Sequence, residues 1–234
     1  MPQRLPLLSF SVALILMLSC NPKIGDGLRK KDIARDVEIT TNKGIIVVRL
    51  SDSTPLHRNN FLKLAKQGYY DSVLFHRVIR NFMIQAGDPD SREAKEGEEL
   101  GNGGPAYMIP AEFRVSLFHH KGVIAAAREG DDVNPKKSSS GSQFYIVQGK
   151  KFTDSGLDSL EVRRLHGRKI PQWQREVYRS TGGTPYLDMN YTVFGEVVRG
   201  LDVVDSIAAV RTDPHDRPLE DVRIIQMRLI KRNH

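Results

Sequence analysis

The stretch Phe75-His76-Arg77-Val78-Ile79-Arg80-Asn81-Phe82-Met83-Ile84-Gln85-Ala86-Gly87-Asp88 decides how the chain reads. Two apolar strand-like runs, Val73-Leu74-Phe75 and Phe82-Met83-Ile84, flank a turn at Arg80-Asn81. Side chains alternate along a strand with a period of two, which places Phe75, Arg77 and Ile79 on one face and sets Met83 beside Gln85. A guanidinium among aromatics costs free energy unless it is paired or used. Taken alone, the stretch leaves two readings open: a structural ion pair and a functional cation.

The rest of the chain narrows the choice. A length of 234 residues suffices for one domain with a full core and an elaboration. The net charge is +7 and the pI about 9.5. The Lys and Arg are dispersed among acids, with no basic tract interleaved with aromatics, which argues against nucleic-acid binding. Near the N-terminus, Arg4 precedes the apolar run Leu7 to Leu18. That run is signal-sequence length and shorter than the about 20 residues of a membrane span. The only cysteine, Cys20, follows in Met17-Leu18-Ser19-Cys20. This resembles a bacterial lipoprotein box, with Met17-Leu18 departing from its commonest form. The resemblance implies a signal peptide over 1–19, a lipid on Cys20 and a polar tether over 20–36. It also implies a membrane-anchored place in the cell envelope. One cysteine allows no disulfide within the chain, so the fold rests on packing.

Val37-Glu38-Ile39-Thr40 alternates, Gly44 to Leu50 is β-branched, and Asn42-Lys43-Gly44 joins them as a hairpin turn. Thr54-Pro55 then predicts a helix start with Thr54 as N-cap. Leu56, Phe61, Leu64 and Ala65 form its expected buried face, His57 its exposed one, and Gly68 its stop. Gly101-Asn102-Gly103-Gly104-Pro105 lacks the Lys-Ser/Thr of a phosphate loop. His119-His120 are adjacent, and neighbours on a strand face opposite ways, so a shared metal is not expected. Segment 149–183 carries eight cations against four acids, hints at a helix around Leu157, Leu160 and Val162, and offers Pro171 as the start of a second. It holds Trp173, the lone tryptophan, expected to pack this segment onto the body. Leu201 to Val210 reads as a further helix and Val222 to Ile230 as a closing strand.

Three blocks then carry a resemblance. Phe75-His76-Arg77 with Phe82-Met83 and Gln85, then Gly141-Ser142-Gln143-Phe144-Tyr145-Ile146, then Tyr191-Thr192-Val193-Phe194-Gly195-Glu196-Val197 stand in the order found in cyclophilins, the peptidyl-prolyl cis-trans isomerases. The resemblance spans roughly 37–230, interrupted at 149–183, where similar helical insertions occur in lipoprotein cyclophilins of the Bacteroidetes type. It implies a mostly β fold: a closed antiparallel eight-stranded barrel capped by two helices, over residues 37–231, with a basic helical insertion.

The chemistry it implies is rotation about an Xaa-Pro bond. The barrier is about 20 kcal/mol, and uncatalysed rotation takes roughly 10–100 s. No bond to substrate breaks, so neither cofactor nor metal is implied. By resemblance, Arg77 stabilises the twisted amide, with Phe82 and Gln85 completing the catalytic set. Gln85 would orient the guanidinium and bind a substrate carbonyl. Met83, Tyr145 and Leu187, with Phe82, match the proline pocket. Ala127 and Arg128 match the segment whose backbone pairs with substrate, and Gln143, Tyr186 and Tyr191 match groove positions. Tyr145 stands where Phe is usual, adding a hydroxyl that needs a partner. Tyr186 replaces a common Trp, which implies weaker binding of cyclosporin-like ligands. The implied partners are proline-containing protein segments, met by a monomer. The departures at Arg128, Tyr145 and Tyr186 sustain a second reading, a binding module or chaperone on the same fold with little turnover.

Overall fold

The computed structural model describes residues 23, 24 and 27–232. Cys20 and the signal segment 1–19 lie outside the described residues. In chain order, β1 (Lys23–Ile24) and β2 (Leu28–Arg29) pair with each other, and a single turn α1 (Lys30–Ile33) follows. Then come β3 (Arg35–Thr41), β4 (Gly44–Leu50), α2 (Pro55–Lys66), β5 (Arg77–Ile79), β6 (Met83–Ala86), β7 (Met108–Ile109), β8 (Val123–Ala126), β9 (Ser139–Ser140) and β10 (Phe144–Val147). Helices α3 (Asp154–Arg163) and α4 (Gln172–Ser180) form the insertion, before β11 (Val193–Arg199), α5 (Leu201–Ala208) and β12 (Ile224–Lys231).

Alternation sets the sheet. In β3, Val37 and Ile39 are buried while Glu38 and Thr40 lie nearer the surface, and Thr41 pairs with Gly44 across the Asn42-Lys43 turn. Eight strands join antiparallel in the order β12-β3-β4-β11-β8-β10-β6-β5. Register shifts within β11, between Val193 and Gly195 and between Val197 and Arg199, accompany the curl. The expected closed barrel is a strongly curled half-barrel: β5 and β12, its edge strands, do not pair with each other. Instead the residues before β5 reach across, with Ser72 N–H donating to the Ile224 carbonyl and Phe75 N–H to that of Val222, each at 2.8 Å.

The main core fills the concave side. Phe61, Tyr70, Phe75, Val78, Ile84, Phe144 and Phe194 meet there, under α2 and α5. A second apolar cluster, with Met83, Val123, Ala125, Tyr145, Val147 and Val193, lies on the convex side. Phe75 therefore does not share the face of Arg77. Strand β5 begins only at Arg77, so the parity count has no strand to run through between residues 75 and 77.

Other boundaries differ from the sequence reading. Leu28 is buried in the main core and Asp32 is buried against the body, so the tether expected through residue 36 is folded from Leu28 onward. Leu56 is exposed and His57 buried, the reverse of expectation. The carboxylate of Glu112 explains both. It accepts N–H bonds from Leu56 (3.2 Å) and His57 (3.0 Å) and contacts His57 Nδ1 at 2.7 Å. Thr54 occupies the N-cap position but makes no capping bond; Glu112 does that work from 55 residues away.

The insertion builds its own small core from Leu157, Leu165, Ile170 and Tyr178 around Phe118 of the body. Trp173 sets its ring edge on Phe118, 5.1 Å between centroids. Val162 is exposed. Arg175 is shared among Asp154, Asp158 and Glu161, and Lys169 pairs with Glu161. With Arg179 on Asp154, three of the segment's eight cations are thus paired within it. At its stem, Gly183 (φ 155°) lies so close to the carbonyl of His119 and the ring of Tyr178 that a Cβ would collide with both.

Candidate active site

Most of the residues expected to be functional converge on one cleft. Arg77 from β5, Met83 and Gln85 from β6, Tyr145 from β10, Ala127 and Arg128 after β8, and Phe82, Leu187 and Tyr191 from loops line one cleft of about 150 Å³. The antiparallel register explains the grouping: Arg77 sits opposite Gln85, and Gln85 opposite Tyr145. Three adjacent strands point alternate residues the same way. Phe82, Met83, Tyr145 and Leu187 give this cleft an apolar lining, with Arg77 on its rim.

Arg77 is less enclosed than the sequence implies. Its side chain is 46% exposed, and its Nε donates to Asp216 Oδ2 at 3.3 Å. Asp216, not Gln85, holds the guanidinium. Among the described residues the two terminal nitrogens of Arg77 make no hydrogen bond, so they stay available over the cleft. Gln85 instead donates to Gln143 Oε1 at 3.0 Å, while Gln143 Nε2 donates to the carbonyls of Gly101 and Gly103, both at 2.8 Å. This glutamine pair separates the apolar cleft from a larger adjoining cavity of about 490 Å³. That cavity is lined by Gly101 to Pro105, Tyr107, Ser140 and Gly141.

Ala127 and Arg128 divide their roles. Ala127 uses both backbone groups internally, donating to Gln143 and accepting from Ser140. The backbone of Arg128 makes no hydrogen bond among the described residues, and the residue lines both cavities. Its side chain is clamped: Nε on the Asn190 carbonyl at 2.8 Å, a 2.7 Å pair with Asp131, and the guanidinium 4.6 Å over the ring of Tyr191. Tyr186 does not line the apolar cleft. It lies beside Phe82, 5.9 Å between ring centroids, under the Arg164 guanidinium from the insertion.

The Tyr145 hydroxyl finds its partner in His119. His119 Nε2 is 2.9 Å from it, and Nδ1 lies 2.9 Å from Asp188 Oδ1. Burial pushes the Tyr145 phenol well above its usual range. Beside β5, burial pulls the His76 imidazole down to about 4, against the attraction of Asp88 and with the repulsion of Arg77.

A sequence model described as cyclophilin type peptidyl-prolyl cis-trans isomerase matches residues 36–229. The chain belongs to the cyclophilin family. As a cyclophilin-type enzyme, it is a peptidyl-prolyl cis-trans isomerase. Two staphylococcal proteins, each provisionally named a peptidyl-prolyl cis-trans isomerase, are similar to it. That of Staphylococcus saprophyticus is 36% identical over 195 residues, covering 82% of this chain and 89% of its own length. That of Staphylococcus aureus strain USA300 is 37% identical over 189 residues, covering 80% and 88%. A Cryptosporidium parvum cyclophilin crystal structure shares the fold, with TM-score 0.61 at 23% identity over 85% of this chain and 99% of that one. A second crystal structure of that protein was obtained in the presence of the dipeptide Ala-Pro, with TM-score 0.59.

Of the cyclophilin residues expected from the sequence, nine line the cleft, Gln143 stands at its edge, and Tyr186 backs Phe82. Asp216, His119, Asp188 and Glu112 went unrecognised as partners. Only the Tyr145 hydroxyl carried a signal, a polar atom in an apolar motif that had to be met by something.

Proposed function

We propose that Arg77 catalyses rotation of Xaa-Pro bonds in protein segments laid across this cleft. The observation that carries the reading is the juxtaposition of unengaged guanidinium N–H groups with an apolar recess walled by Phe82, Met83, Tyr145 and Leu187. The recess suits a pyrrolidine ring, and the neighbouring Arg128 backbone offers a donor and an acceptor to an extended chain. When the amide twists, resonance is lost and the prolyl nitrogen gains a lone pair. A fixed cation with N–H donors favours that state over either planar isomer. Arg suits the task because it stays charged and presents a rigid fork.

The test is isomerisation of an Xaa-Pro peptide by wild type and Arg77→Ala. The expected loss is about 100-fold in kcat/KM, the scale for removing one preorganised donor. Equal rates would remove Arg77 from the mechanism and favour the low-turnover binding reading.

We also propose that the enzyme acts on client proteins in the cell envelope, held by a lipid on Cys20. The apolar run from Leu7 to Leu18 and the single cysteine behind it support this. Cys20→Ser should move the protein from the membrane to the soluble fraction. Retention at the membrane would count against the lipid.

A further inference from the structure

Four buried side chains form one line from the insertion to the cleft. Tyr178, on α4, donates its hydroxyl to Asp188 Oδ2 at 2.6 Å. Asp188 Oδ1 faces His119 twice, accepting its backbone N–H at 2.8 Å and meeting Nδ1 at 2.9 Å. His119 Nε2 reaches the Tyr145 hydroxyl at 2.9 Å, and the two rings lie nearly parallel, 15° apart. Relative exposures are 0% for Tyr178 and His119 and 4% for Asp188 and Tyr145, so water does not compete for these bonds.

The bonding fixes the direction of each proton. A carboxylate only accepts, so a neutral His119 carries its proton on Nδ1 and leaves Nε2 as acceptor. Tyr145 must then donate to Nε2. Its O–H is thereby turned out of the cleft, and only the ring is offered to whatever enters. Without this, a tyrosine in an apolar recess would leave an unpaired hydroxyl beside the ligand, at a cost in binding.

We propose that His119, held by Asp188 and by Tyr178 of the insertion, is a positioning residue for the prolyl recess. It fixes the Tyr145 ring and consumes its hydroxyl, which makes the insertion part of the substrate-binding apparatus. The proposal rests on the reading of the cleft as the proline site. It also assigns work to a tyrosine that departs from the family's usual phenylalanine, and to a histidine that would otherwise be buried to no purpose.

The test uses the full chain and five shape-conserving variants: Tyr178→Phe, Tyr145→Phe, the double Tyr178→Phe/Tyr145→Phe, His119→Gln, and the double His119→Gln/Tyr145→Phe. KM and kcat for an Xaa-Pro peptide are read at a temperature well below melting, with peptide affinity from NMR titration in parallel. Tyr178→Phe should raise KM about fivefold, the scale of one lost buried hydrogen bond, with kcat little changed. In the Tyr145→Phe background the same substitution should raise KM no further, because its route to the cleft is gone. Adding Tyr145→Phe to His119→Gln should recover most of the lost affinity. A role confined to holding the fold would lower the melting temperature and leave KM alone in every variant. That outcome, or equal KM changes with and without the Tyr145 hydroxyl, overturns the proposal. A wild type that binds the peptide without turning it over would sink the isomerase mechanism, while the affinity contrast would still decide this one.

Discussion

Arg77 and His76 are adjacent in sequence and opposite in environment. Arg77 rides on the rim, with its Asp216 partner 39% exposed, and an ion pair that open to water contributes at most about 1 kcal/mol. Asp216→Asn should therefore change kcat/KM by no more than about fivefold, a small effect beside that of Arg77→Ala. A loss as large as that of Arg77→Ala would make Asp216 indispensable to the placement of the guanidinium. His76 is buried, and burial depresses its pKa to about 4, below its ordinary 6.5. The unfolded chain thus binds a proton that the folded one refuses. Stability is full above about pH 6.5 and falls as the pH drops toward 4, by up to roughly 3 kcal/mol. His57, also lowered by burial despite Glu112, acts with the same sign. Urea midpoints measured from pH 7.5 to 4 should fall for the wild type and fall distinctly less for His76→Phe. Parallel curves would show that His76 does not carry the loss.

Among the elements, α2 shows how a helix end can be satisfied at long range. The Thr54 hydroxyl is buried without a hydrogen bond, whereas Glu112 satisfies two N–H groups of the first turn and the His57 ring. Thr54→Val should consequently cost less than about 0.5 kcal/mol, below the ~1 kcal/mol typical of a lost N-cap. Glu112→Ala leaves the buried His57 N–H and ring, and the part-buried Leu56 N–H, without their acceptor and should cost about 2–4 kcal/mol, read from urea denaturation. If the two substitutions cost the same, Thr54 is the cap after all. The insertion helices were legible in outline: Thr153 caps α3 by accepting from Gly156 N–H at 3.1 Å, and α4 begins directly after Pro171. Which side of α3 is buried was not legible, because Val162 and Leu160 are equally apolar and only the position of Phe118 decides between them.

For the whole molecule, the insertion is an annex with a shared wall. Lys150 and Gly183 pair across its base, so the chain leaves and returns at adjacent points. Excising 151–182 and joining the ends should preserve the curled sheet and uncover Phe118. Melting should fall by several degrees while far-UV circular dichroism keeps its β signature. Global unfolding would mean instead that the annex is required by the main core. Residue order alone determined the family, the β3-β4 hairpin, the strand carrying Arg77 and most of the cleft. These follow from motifs, turns and alternation that act over a few neighbouring residues. The tertiary structure alone decided that the sheet stays open between β5 and β12, that Asp216 holds Arg77, that Glu112 caps α2 and that His119 receives the Tyr145 hydroxyl. The physical reason is distance along the chain: the His57–Glu112 pair is separated by 55 residues and the Arg77–Asp216 pair by 139. No local preference selects among many acids and histidines that far apart. Packing of the two cores brings particular ones together, and the penalty on unpaired buried groups then settles which of them bond.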